Sequence, residues 1–132
     1  MEAVRLTVRV DFGGDRALGP GKIRLLEAIR NTGSISSAGR ALEMSYRRAW
    51  LLVDDMNRCF REPVVTTQPG GAQGGGAALT AFGNALIDQY RAIEAQATAA
   101  AEPQLHALEV SLRNRVRRPQ KRSKTSIRAA MR

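Results

Sequence analysis

The chain is poor in the residues that build most catalytic centres. Its 132 residues include one cysteine, Cys59, and one histidine, His106. That is too little for an internal disulfide, a Cys/His metal set or a histidine-based triad. Long apolar runs are also missing, since none approaches the roughly 20 residues that a membrane-spanning helix needs. The amino-terminal MEAVRLTVRV alternates and carries charge, so it does not read as a signal peptide. A reduced, cytoplasmic setting is therefore expected. The glycines suggest a phosphate loop at two places, and neither fits. Gly21-Lys22 is followed by Ile23 where a Walker loop needs Ser or Thr, and its first glycine position holds Arg16; the Gly70–Gly76 run has no lysine. No enzyme activity, cofactor or metal is expected.

Charge is missing in two informative places. No residue from Pro63 to Ile87 is charged, and no acid stands after residue 112. The formal net charge of +9 therefore has an uneven origin. Residues 1–112 hold 12 basic and 12 acidic side chains, while residues 113–132 hold nine basic ones. Like charges at that density, with few large apolar residues, do not build a core. Two units are expected: a folded domain over 1–112 and a basic, disordered tail over 113–132. The tail residues Arg113, Arg115, Arg117, Arg118, Lys121, Arg122 and Lys124 are candidates for non-specific phosphate contacts.

Within the folded part, Val4, Leu6, Val8 and Val10 alternate with polar residues, which predicts a half-buried strand. A glycine-rich turn region over 11–20 comes next, then a helix over 21–31 that ends at Gly33. Ser34 to Phe60 reads as two helices with a short break at Glu43-Met44-Ser45, each capped by a serine, Ser34 or Ser45. In the second helix, Tyr46, Ala49, Trp50, Val53, Asn57 and Phe60 share one face, with Trp50 and Met56 expected in the core along with Met44. Arg47, Arg48, Leu51, Asp55 and Arg58 point the other way. Two helices so closely joined cross steeply, as in a helix-turn-helix, where the start of the second helix enters the DNA major groove. Pro63 stops that helix. Short strands over 64–68 and 77–79 flank PGGAQGGG and predict a hairpin, and Thr80 caps a long helix to about residue 101. Pro103 begins a further helix carrying Leu105, Leu108 and Leu112. The fold class is mainly α with a small β-hairpin: a winged helix-turn-helix with a C-terminal dimerisation helix. Leu86, Tyr90, Ile93 and Ala97 form the expected seam of a homodimer.

GPGKIRLLEAIRNTGSIS, ALEMSYRRAW, VDDMNRCFREPVV and the glycine wing with AALT…FG resemble the N-terminal domain of ModE-type molybdate-responsive regulators over about residues 4–100. The resemblance implies a winged helix-turn-helix, a homodimer joined through the helix after the wing, and a pseudo-palindromic double-stranded DNA operator. Such operators commonly precede genes for molybdate uptake or molybdenum enzymes. Family members continue into a molybdate-binding region of small β-barrel modules. This sequence carries the basic segment in that place, so molybdate binding is not expected of it. The family wing usually carries Lys or Arg where Gln73 stands, and often has Glu before the wing where Thr66 and Thr67 stand. Glu43 takes the place of a frequent glycine in the turn; a left-handed backbone there costs on the order of 1 kcal/mol.

The expected DNA-binding residues are Ser34, Ser36, Ser37, Ser45, Tyr46, Arg47, Arg48, Thr66, Thr67, Gly71, Gln73 and Gly75. Arg47 and Arg48 have the fork that matches guanine O6 and N7, whereas Ser and Tyr more often hold phosphates. Two other functions fit the same sequence: a nucleoid or RNA-binding protein driven by the tail, and a protein–protein adaptor built on a winged helix.

Overall fold

The computed structural model describes residues 4–71 and 74–113. Gly19-Pro20 opens α1 (Pro20–Thr32), with proline in the first turn, where its missing N–H has no helical partner to lose. Ile23, Leu25, Leu26 and Ile29 of this helix are fully buried and form the centre of the core. Gly33 ends it in the left-handed region (φ 82°), donating its N–H to Ile29 O at 2.8 Å.

Next come α2 (Ile35–Ala41) and α3 (Tyr46–Cys59). Ser34 Oγ accepts from Ser37 N, and Ser45 Oγ accepts from Arg48 N, both at 3.0 Å, so both serine caps form as expected. Between the helices Glu43 does adopt φ 60°, the one non-glycine residue with positive φ among those described. The turn is held by Met44 N donating to Gly39 O at 2.9 Å. Gly39 permits the close crossing, since a Cβ there would lie 3.3 Å from both Ala49 Cβ and Met44 O. Met56 is buried as expected, whereas Met44 only packs against the rim of the core.

The wing is an antiparallel hairpin of β3 (Val65–Gly71) and β4 (Gly74–Leu79), with Val65 opposite Leu79 and Gln68 opposite Gly76. Asn57 of α3 fastens its base. Asn57 Oδ1 accepts from Val64 N (2.7 Å) and Val65 N (3.1 Å), and its Nδ2 donates to Val65 O (3.1 Å). Thr80 then caps α4 (Ala81–Ala100): its hydroxyl accepts from Gly83 N at 2.9 Å and donates to Pro63 O at 2.7 Å. Gly83 is required by this close approach, because a Cβ there would meet Val64 O at 2.3 Å. The last described helix is α5 (Glu102–Val110), which has no buried residue. This is a winged helix-turn-helix, mainly helical with small antiparallel strand pairs.

Two expectations are corrected by the fold. The alternating segment over 4–9 keeps its in–out burial but forms no ladder; the paired strands are β1 (Val10–Gly13) and β2 (Arg16–Leu18), inside the region read as a turn. Gly13 (φ 91°) and Gly14 (φ 60°) supply the reversal. Tyr90 and Leu86 do not face outward along a seam, because the chain's own core takes them. Tyr90 is fully buried, donates its hydroxyl to Val8 O at 2.5 Å, and has its phenol pKa raised by that burial. Beside it, Arg91 clamps α4 to α1 through Glu27 (2.8 and 3.1 Å) and also reaches Glu94 at 2.6 Å. Of the expected stripe, Ile93 is exposed and Ala97 half-buried.

Candidate nucleic-acid interface

The amphipathic pattern of α3 sets what the surface presents. Ala49, Val53 and Met56 are buried against α1 and α2, which turns Arg47 and Arg48 out to solvent. Neither guanidinium makes a side-chain hydrogen bond or ion pair among the described residues. Further along, Arg58 pairs with Asp54 at 3.1 Å. The first turn of α3 is thus an unneutralised cationic edge.

Next to that edge, a groove of about 590 Å³ runs between α2, the start of α3 and the wing. Its walls include Ser34, Ser36, Ser37, Tyr46, Thr67 and Gly75 from the expected set. The wing is held across it by Ala77 N donating to Gly33 O at 2.8 Å, a bond between β4 and the α1–α2 corner. Ser45 does not line the groove; its oxygen caps α3. Thr66 is exposed on the wing but lies outside the groove, and Gly71 is described only as the strand residue opposite Gly74. Gln73 and the tail residues Arg115, Arg117, Arg118, Lys121, Arg122 and Lys124 lie outside the described residues; Arg113, the last one described, is exposed.

The groove also holds residues the sequence reading missed. Arg40 donates to Ser36 Oγ (3.2 Å) and Ser37 Oγ (3.3 Å), placing a cation over two serine hydroxyls. Its spacing of four and three residues from those serines was a usable signal. Trp50, expected in the core, is 42% exposed and stands on the groove wall with Tyr46, which is 57% exposed. Both stand at the edge of the buried stripe of α3, on the side of the groove. Gln68 completes the polar lining, and among the described residues no acid is part of it.

Hydroxyls, backbone N–H groups and a guanidinium on a concave surface suit phosphate oxygens, and the aromatic pair can lie along sugar or base edges. The outward arginines suit base edges. Among the described residues no cluster of His, Cys, Asp and Glu could hold a metal ion, and no helix is long and apolar enough to cross a membrane.

Known proteins are similar to this chain over its N-terminal part. The molybdenum transport protein ModE of Azotobacter vinelandii is 43% identical over 96 residues, 71% of this chain and 36% of that protein. The molybdenum-pterin-binding protein MopB of Rhodobacter capsulatus is 51% identical over 78 residues, 59% of this chain and 29% of that protein. The DNA-binding transcriptional dual regulator ModE of Escherichia coli K12 is 39% identical over 71 residues, 54% of this chain and 27% of that protein. The N-terminal part of this chain is similar to these ModE and Mop proteins. No family model matches it. The chain spans about a third of the length of the curated relatives it matches. The relatives cover about the N-terminal 55–70% of the chain, so the basic segment lies beyond the part they match.

Proposed function

We propose that this chain is a sequence-specific DNA-binding transcription regulator that acts on genes of molybdenum uptake or use. The observation that carries the reading is the first turn of α3. In a winged helix-turn-helix it is the part that reaches the major groove, and here it presents two arginines that have no side-chain partner among the described residues, beside a groove that no described acid lines. The ModE names of the relatives support the molybdenum connection.

Arg47 and Arg48 read base edges. Ser34, Ser36, Ser37 and Arg40 hold the backbone of one strand, while Tyr46 and Trp50 face the duplex between helix and wing. Thr66, Thr67, Gly75 and the rest of the uncharged wing approach phosphate through hydroxyls and backbone N–H groups. Nine cations in residues 113–132 add phosphate contacts without sequence information. Two copies bind a pseudo-palindromic site, joined through the outer part of α4 and α5. Ile93, Leu108 and Val110 are large exposed apolar side chains there, and Leu112 just after α5 is another. A charge at that surface, Ile93→Glu, should convert a dimer in sedimentation to a monomer.

Trp50 is the only tryptophan, so its fluorescence reports directly on the groove. The chain should enrich one duplex sequence from a random pool, bind it at least 100-fold more tightly than a scrambled duplex at fixed salt, and change its Trp50 emission on binding. Equal affinity for the two duplexes would favour a non-specific role driven by the tail. No affinity for either would favour a protein–protein adaptor.

A further inference from the structure

The outward row of α3 contains an apolar side chain that packing does not account for. Successive helical residues are turned by about 100°, so with Ala49, Val53 and Met56 on the buried side, Arg47, Leu51 and Arg58 stand opposite them. Leu51 is 50% exposed and belongs neither to the core nor to the residues packed against it, unlike its neighbour Leu52. It also lies outside the groove between helix and wing. Four residues after Arg47 and three after Arg48, it sits one turn along from both on the helix surface.

Guanidinium groups select an anionic or acceptor-rich surface, and a leucine among them needs an apolar group on that same surface. The major groove of B-DNA offers both: guanine O6 and N7 as paired acceptors, and the thymine 5-methyl as its apolar feature. We propose that Leu51 is a specificity-determining residue that packs on a thymine methyl next to the base pairs met by Arg47 and Arg48. This rests on α3 being the recognition helix. The isobutyl group and the methyl shield each other from water, and cytosine, which has no 5-methyl, gives no such gain. The three side chains then read a mixed site, with guanine chosen by hydrogen bonds and thymine by shape and hydrophobicity.

The test uses the whole 132-residue chain and the duplex it enriches from a random pool. Each thymine in turn is replaced by uracil, which removes the methyl alone. Wild-type affinity should fall about fourfold at one or more positions, the worth of one buried carbon, about 0.8 kcal/mol. Leu51→Ala should lose a similar factor on the thymine duplex and show no further loss with uracil at those positions, which is the coupling expected of a direct contact. Circular dichroism should be unchanged, since Leu51 lies outside the core and the residues packed against it. An enriched duplex whose thymine-to-uracil losses are the same for wild type and Leu51→Ala overturns the assignment while leaving sequence-specific binding intact. A Leu51→Ala variant that changes oligomeric state without changing those losses assigns the side chain to a protein contact instead. A chain that enriches no sequence overturns the reading of α3 itself, and Leu51 with it.

Discussion

Helix α3 and the wing border the same groove with contrasting chemistry. The helix carries Arg47, Arg48, Asp54, Asp55 and Arg58, whereas no residue from Pro63 to Ile87 is charged. Side chains on a helix can be exchanged one at a time to change what is recognised. A hairpin rich in Gly, Ala and Thr, with Gln68 its largest polar strand residue, offers mainly backbone N–H groups, whose position depends on the shape of the strand pair. The contrast suggests a division of labour: α3 selects the sequence, and the wing meets the duplex by fit, without the charge that would make it bind everywhere. Such a wing is useful only if it is held firmly to the helix, and that is the role of Asn57 and Thr80.

The contrast breaks most severely if that fastening is removed. Asn57→Ala leaves Val64 N and Val65 O without their side-chain partner at the base of the wing. It should destabilise the domain by roughly 2–4 kcal/mol, read as a lowered midpoint in urea unfolding. Binding of the enriched duplex should weaken even under conditions where the variant stays folded. A smaller change sharpens the contrast. Gln68→Lys puts a cation on the exposed wall of the wing. It should tighten enriched and scrambled duplexes by similar factors and steepen the slope of log K against log salt by about 0.9, so that the specificity ratio does not rise. The smallest effect concerns the turn that aims α3. Glu43 holds φ 60°, so Glu43→Gly should raise stability by up to about 1 kcal/mol and leave the enriched sequence unchanged. A loss of stability there would mean that the Glu43 side chain does more than fill the turn.

Helix positions and caps were legible in the sequence because they follow from local rules. Ser34, Ser45 and Thr80 cap where a hydroxyl precedes an apolar repeat, and Gly33 ends α1 where glycine alone takes positive φ without strain. What local rules do not contain is the partner of each apolar face. The repeat through Leu86, Tyr90, Ile93 and Ala97 has the same spacing whether it meets a core or a second copy. Only the course of α1 and the amino-terminal segment decides that Tyr90 goes inward. Trp50 shows the converse: it borders the buried stripe, yet it stands partly open on the groove wall. The strand expected over 4–10 failed for a related reason. Alternation measures one-sided burial, while a ladder needs a neighbour, and Gly13-Gly14 turns the chain so that only residues from Val10 onward find one. Of the residues that line the groove, Ser34, Ser36, Ser37, Tyr46, Thr67 and Gly75 are ones that the helix-turn-helix and wing pattern picks out by position. Arg40 was passed over because an arginine on a short polar helix resembles any solvated charge.

The central claim is that the start of α3 reads base sequence, and the specificity ratio of Arg47→Ala and Arg48→Ala tests it most directly. Affinity for the enriched duplex and for a scrambled one should be measured side by side at one salt concentration, with circular dichroism as the check on folding. At least one variant should lose about 1–3 kcal/mol on the enriched duplex, much less on the scrambled one, and relax preference at a single base pair. Equal losses on both duplexes, or none on either for both variants, would contradict the account.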